Sequence, residues 1–168
     1  MFEIRRFRES DWVEVWSVLE PVFRAGETYA FSPEISAAEA HYAWIEAPRQ
    51  AYVATEPHGP LLGTYFIKEN QPGLGSHVCN CGYVVSQRAQ GRGVATEMCL
   101  HSQRTAVGLG FAAMQYNLVV STNTAAIRLW KRLGFEVVGT LPKAFKSRSR
   151  GLVDALVMYK QLPADDRR

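Results

Sequence analysis

Apolar positions along this chain recur with a period that switches between two residues and about 3.6, so strands and helices can be read off in order. Phe2–Phe7 reads as a first strand. Trp12, Val15, Trp16, Leu19 and Phe23 then keep helical spacing, with Ser10 or Asp11 as N-cap and Gly26 as the stop. After a loop over Glu27–Pro33, a second helix is predicted from about Ser36, with Glu39 placed for a capping box, to just before Pro48. Ala51–Thr55 and Leu61–Lys68 read as a hairpin turning through Pro57, Gly59 and Pro60. His77–Val85 is a further strand and Val94–Val107 a helix that stops near Gly108 and Gly110. Ala112–Val120 looks like a strand buried on both faces. Asn123–Leu133 is a helix closed at Gly134, and Glu136–Leu141 and Leu152–Leu162 are strands on either side of a basic loop. The order β-α-α-β-β-β-α-β-α-β-β predicts one mixed α/β sheet in a single domain over residues 1–162, with a tail at 163–168.

Bulk properties narrow the function classes. A length of 168 residues allows one real core. An apolar fraction of 47% and a charged fraction of 21% are those of a soluble globular protein. No apolar run is long enough for a bilayer, and Met1-Phe-Glu-Ile goes straight into a strand pattern without a signal core, so the cytoplasm is the expected location. A net charge of +3 argues for neither nucleic acid nor membrane as a partner. Lys143, Lys146, Arg148 and Arg150 crowd one segment, which reads as a solvated loop. Three cysteines, an odd number beside no secretory signal, do not read as a disulfide framework. His77, Cys79 and Cys81 share one strand face, but ligands in a line suit tetrahedral zinc poorly, and no metal is expected.

The candidate chemistry centres on Gln87–Thr96, a glycine-rich turn between a strand and a helix. A helix start offers unpaired N–H groups and a positive dipole end, and glycines let a bulky anion approach them. Arg88 and Arg92 flank the glycines, with phosphate contact and plain solvent exposure as rival readings. The spacing is not that of a Walker loop, and the glycine pair alone fits an unliganded tight turn equally well.

Two motifs together say more. Gln90, Gly93 and Ala95 fit [QR]-x-x-G-x-[GA], and Ala125–Gly139 runs as a helix ending in Leu-Gly-Phe followed by a strand. In this order the chain resembles the GNAT superfamily of acetyltransferases, from Phe2 to about Leu162. The resemblance implies a mixed sheet of about seven strands, split in a V between His77–Val85 and Ala112–Val120 and flanked by about four helices. It implies acetyl-CoA as acyl donor and direct transfer of acetyl to an amine, with a small-molecule acceptor expected and a homodimer possible. Tyr83, Val84 and Val85 would follow the pantetheine arm, and Gln90, Gly91, Arg92, Gly93, Val94, Ala95 and Thr96 the pyrophosphate, with Arg88 beside them. Many members carry a thiolate-protonating Tyr where this chain has Trp130; Tyr116 or a water is the candidate replacement. Peptide N-acetylation and a non-catalytic acyl-CoA-binding module are the competing functions.

A narrower resemblance is to fungal acetyltransferases acting on proline analogues such as azetidine-2-carboxylate. It marks Asn80, Asn117 and Asn123 as binding acceptor or cofactor. Asn123 can equally N-cap the following helix, whereas Asn117, in an apolar strand, needs a partner for its amide, and Asn80 sits on a strand that can carry a bulge. Glu27, Tyr29 and Phe31 are the candidate acceptor wall. Glu27 reads as an ammonium ligand, a base or a surface carboxylate, and the two aromatics as wall or as core caps. Asp154 reads as structural rather than catalytic.

Overall fold

The computed structural model describes residues 2–163; of the expected tail, 164–168 lie outside the described residues. The chain forms β1 (Glu3–Arg6), α1 (Trp12–Ala25), α2 (Ala37–His41), β2 (Gln50–Thr55), β3 (Leu61–Glu69), β4 (Val78–Val85), α3 (Val94–Gly108), β5 (Ala113–Val120), α4 (Thr124–Arg132), β6 (Glu136–Ser147) and β7 (Gly151–Gln161). The strands make one mixed sheet in the order β1-β2-β3-β4-β5-β7-β6, as the element order predicts.

The sheet is covered on both faces, which is why β3 is buried without alternation from Leu61 to Ile67. On one face Val15, Leu19, Phe23, Trp44 and Phe66 make a core beneath α1 and α2. On the other, Met98, Cys99, Met114, Trp130, Phe135 and Met158 pack under α3 and α4. The buried indole of Trp44 donates to Thr64 Oγ1 at 3.1 Å, and Thr64 donates in turn to Tyr52 O at 2.9 Å, so that core closes with its polar atoms paired.

Local details depart from the pattern where a side chain finds another partner. Asp11 does not cap α1; its carboxylate accepts from Arg8 N at 2.7 Å and from the Arg5 guanidinium at 2.8 Å. The Ser36–Glu39 capping box forms, but the second helix keeps α geometry only to His41 and widens to a π turn over Tyr42–Glu46. The expected basic loop is largely strand: β6 runs on to Ser147, past a register shift between Leu141 and Phe145 where Lys143 has φ +52°, and turns tightly into β7. Edge position lets β6 tolerate both Pro142 and the irregular Lys143.

The central feature is an interrupted pairing. Parallel β4 and β5 are in register only at Val78↔Ala113 and Cys79↔Met114 and then diverge. The bulge lies in β5, between Tyr116 and Val119, while β4 pairs regularly with β3 from Cys79 to Val85. It turns Asn117 outward, so this residue is exposed rather than buried in an apolar strand.

Gly82 allows the layer above β4 to come close. A Cβ there would lie 2.5 Å from the Phe66 ring and 3.2 Å from the Tyr29 hydroxyl. Gly82→Ala is expected to destabilise the fold by about 1–3 kcal/mol, an overpacking cost, and to lower Tm by several degrees in a thermal melt.

Candidate active site

Where β4 and β5 part, one edge of β4 is left without a strand partner. Ser86 N–H bonds to Leu62 O of β3 at 2.8 Å, which sets the alternation so that the peptide groups of Tyr83 and Val85 face the split. The split opens into a cavity of about 650 Å³ that runs from Gln90 and Ala95, along Tyr83–Val85, to Tyr29 and Phe31.

At one end is the glycine turn. Gly91 and Gly93 have φ +76° and +79°, left-handed values that strain any other residue. Gly93 begins α3 with no capping side chain. Arg92 N–H bonds to Ala89 O and Glu97 N–H to Gly93 O, whereas the N–H groups of Gly93, Val94, Ala95 and Thr96 have no partner among the described residues. Four unpaired donors at the positive end of a fifteen-residue helix suit an anion. Side chains contribute unevenly. The Val94 side chain is buried in the core, so only its backbone faces outward. Arg88 is exposed. Arg92 is also exposed, and its guanidinium is held by Glu56 in the β2–β3 turn, which lowers the Glu56 carboxyl below its ordinary range.

At the middle of the cavity lies a phenol network. The Tyr83 hydroxyl shares hydrogen bonds with Ser102 Oγ at 2.6 Å and Tyr116 OH at 3.0 Å, and Tyr116 OH lies 3.5 Å from Cys99 Sγ. Burial pushes both phenols and the Cys81 thiol well above their ordinary values. Trp130 packs its ring 5.1 Å from each of the two tyrosine rings and lines the cavity. Asn123 lines it as well while capping α4, its Oδ1 accepting from Ala126 N at 3.2 Å.

At the apex, Asn80 Nδ2 donates to Gln115 O of β5 at 2.9 Å. This bond stands where the next rung of β4–β5 pairing would be: a side chain completes the ladder that the backbone abandons. Asn117 joins a row of amides, accepting from Gln115 Nε2 at 2.9 Å and donating to Asn70 Oδ1 at 2.6 Å. Both Asn80 and Asn117 line the cavity.

The far wall is the loop after α1. Tyr29 and Phe31 stack with ring centroids 6.0 Å apart and lean on Phe23. The Tyr29 hydroxyl accepts from Tyr83 N at 2.7 Å and donates to Tyr83 O at 2.8 Å, pairing both backbone groups of one edge residue as a neighbouring strand would. Its withdrawal from water raises the phenol pKa. The interior glycine of β4 was the one local sign of this approach. Glu27 does not line the cavity. Its carboxylate accepts from Ser147 Oγ at 2.6 Å and from Ser149 N at 2.9 Å, and the serine hydrogen bond in particular lowers its pKa. A carboxylate so engaged fixes the loop to the β6–β7 turn, where Arg148 N also bonds to Gly26 O at 3.1 Å. Neither serine was singled out by motif, because a contact across 120 residues leaves no local signal. Asp154 lies on the same side of the molecule as a structural acceptor for Lys143 N at 2.9 Å. No group of three or more His, Cys, Asp or Glu that could hold a metal occurs among the described residues.

This geometry has relatives. The sequence pattern of the acetyltransferase (GNAT) family matches residues 12–135. N-acetyltransferase aca1 of Schizosaccharomyces pombe is 34% identical over 119 residues, which are 70% of this chain and 57% of that protein. The mycothiol acetyltransferase of Mycolicibacterium gilvum is 35% identical over 103 residues, 58% of this chain and 32% of that one, so the chain spans well under two thirds of these curated relatives. A GCN5-related N-acetyltransferase from Kribbella flavida superposes with a TM-score of 0.90 at 36% identity, over 96% of this chain and 98% of that one. The yncA protein of Salmonella typhimurium, solved with acetyl-CoA, superposes at 0.85 over 100% of this chain and 98% of its own, with 20% identity, a likeness of fold.

Because Tyr29 holds both groups of the Tyr83 peptide, Tyr29→Phe is expected to expose them in the free protein. Amide hydrogen exchange at Tyr83 should accelerate at least several-fold, with about 1 kcal/mol of stability lost. Unchanged exchange would show that the amide is shielded by burial alone.

Proposed function

From the premise that the chain belongs to the GNAT acetyltransferase family, we propose that it transfers the acetyl group of acetyl-CoA to the nitrogen of a small-molecule amine by direct attack. One observation carries this reading: a single cavity joins the uncapped start of α3, the open edge of β4 and a mostly apolar wall at Tyr29 and Phe31. A phosphate-bearing thioester donor needs the first two, and a compact acceptor suits the third.

In this reading the pyrophosphate meets the N–H groups of Gly93–Thr96, with Arg88 and Arg92 at its margin. Arg92 exchanges Glu56 for phosphate, a charge-assisted contact of the same kind. The pantetheine amides pair with the split-facing groups of Val85, with the arm running beside Tyr83, Val84, Asn123 and Trp130. The Tyr83 N–H is also a suitable donor to the developing oxyanion, so the Tyr29 hydroxyl gives up that bond when the donor enters. Asn80 and Asn117 face the acceptor together with Tyr29 and Phe31, in keeping with an amino acid or an analogue of one. Trp130 cannot protonate the leaving thiolate. Tyr116 is close beneath it, but its raised pKa and engagement with Tyr83 and Cys99 favour solvent as the proton source. The cytoplasm as compartment and a pairing of two copies belong to the same proposal.

Thiol release from acetyl-CoA with a panel of amines tests the reaction; acetyl-CoA binding with no transfer to any amine would overturn it. Gly93→Val forces a β-branched residue into the left-handed region and is expected to weaken acetyl-CoA binding at least about tenfold while the far-UV spectrum stays native. Asn117→Ala is expected to raise the amine KM and leave the acetyl-CoA KM alone. An unchanged amine KM would remove Asn117 from the acceptor site.

A further inference from the structure

The cavity is unusual in its charge. Among the described residues that line it there is no Asp, Glu, Lys, Arg or His. Its titratable members are Tyr29, Tyr83, Tyr116 and Cys81, and each is pushed toward its neutral form by burial. Several charged groups on the surrounding elements are engaged elsewhere, and Glu97 in the first turn of α3 is exposed outside the lining. From the loop after α1, Glu27 is bound to Ser147 and Ser149. From α1, the Arg24 guanidinium is bound to the carbonyls of Pro33 and Ile35. On β7, Asp154 accepts from Lys143 N, and Lys160 donates to Gln103 Oε1 and Leu133 O. On α3, His101 pairs with Tyr65 on the far side of β4, with its pKa lowered by burial. Arg128 of α4 and Arg88 and Arg92 of the glycine turn are cations outside the lining. Lys68 of β3, in register with Asn80, lies over the Phe66 ring at 5.5 Å and brings a positive charge to the rim.

Among the described lining residues an ammonium group has no carboxylate to pair with, and burying it unpaired is costly. Nor do those residues include a carboxylate or imidazole to strip its proton. What the site does offer is an amide oxygen. Asn80 Nδ2 is fixed on Gln115 O, which leaves Oδ1 turned away from that bond and without a partner among the described residues. An acceptor oxygen of this kind suits a neutral amine N–H and orients the nitrogen lone pair away from itself.

We infer that the acceptor enters as the free base, already deprotonated in solution, so that turnover follows the neutral fraction of the amine at the working pH, and that no lining residue acts as general base. This rests on the proposed transferase function. The amine lone pair forms the C–N bond at the thioester carbon and the C–S bond breaks. The proton lost from nitrogen is carried by solvent to the departing sulfur, so amine and thioester give amide and thiol with no net proton gained or lost.

The experiment is kcat/KM against pH by thiol release, for one weakly basic and one strongly basic amine of similar size. The free-base fraction grows with pH, so each profile should rise about tenfold per pH unit and level off at that amine's own pKa. The two rising limbs should therefore be displaced from one another by the difference between the amine pKa values. A limb at the same pKa for both amines would place the base on the protein and overturn the inference while leaving the transferase function standing. Absence of thiol release with either amine, with acetyl-CoA bound, would overturn the function and the inference with it.

Discussion

The site depends on one incomplete pairing. Two parallel strands that bond at only two register positions leave a row of backbone donors and acceptors facing each other across a gap. Such groups are costly when buried without partners, so a split sheet survives only if something satisfies its edges. This chain meets the demand with side chains: Asn80 takes the first orphan carbonyl of β5, and Tyr29 takes both groups of Tyr83. What they leave open near Val85 and along the start of α3 is polar, convergent and lined by apolar walls, and such an edge suits an extended amide-bearing ligand ending in phosphate.

The elements that could be read from the sequence were those set by local periodicity. The helices at Trp12 and Val94, the β2–β3 hairpin and the glycine turn all rest on patterns contained within a dozen residues or so, and each lies within a few residues of its expected bounds. The Ser36–Glu39 box was legible for the same reason. The misreadings share a different cause. Asn117 looked buried because its neighbours are apolar, but a bulge shifts the face a residue occupies and has no compositional signature here. The basic segment looked like a loop because charge and Pro142 suggest one, yet an edge strand takes charge and proline readily. Glu27 was chemically ambiguous until Ser147 was seen beside it.

For the candidate site, the division falls between donor and acceptor. The donor end is made by backbone, and backbone geometry is written in glycines: Gly91 and Gly93 announce their own left-handed conformations. The end proposed for the acceptor is lined by side chains from the loop after α1, from β4 and from β5, which only the tertiary fold brings together. Residue types suggested Asn80, Asn117, Tyr29 and Phe31, but no spacing rule could say that Asn80 spans the split or that Tyr29 lies along a strand edge. Nor could it say that the assembled cavity would be free of formal charge.

The attachment of Glu27 to the β6–β7 turn has a bearing on how the molecule comes into being. Its partners are Ser147 and Ser149, on the last hairpin, whereas the loop it secures was made near the beginning of the chain. Contacts between such distant positions form late, because the intervening chain must first be ordered. The strand–turn–helix that begins at β4 is local and can be organised long before the aromatic wall is pinned in place. On this ordering the glycine turn can form before the loop after α1 is fixed, and the last hairpin, which supplies both Ser147 and the β7 partner of β5, closes the cavity last.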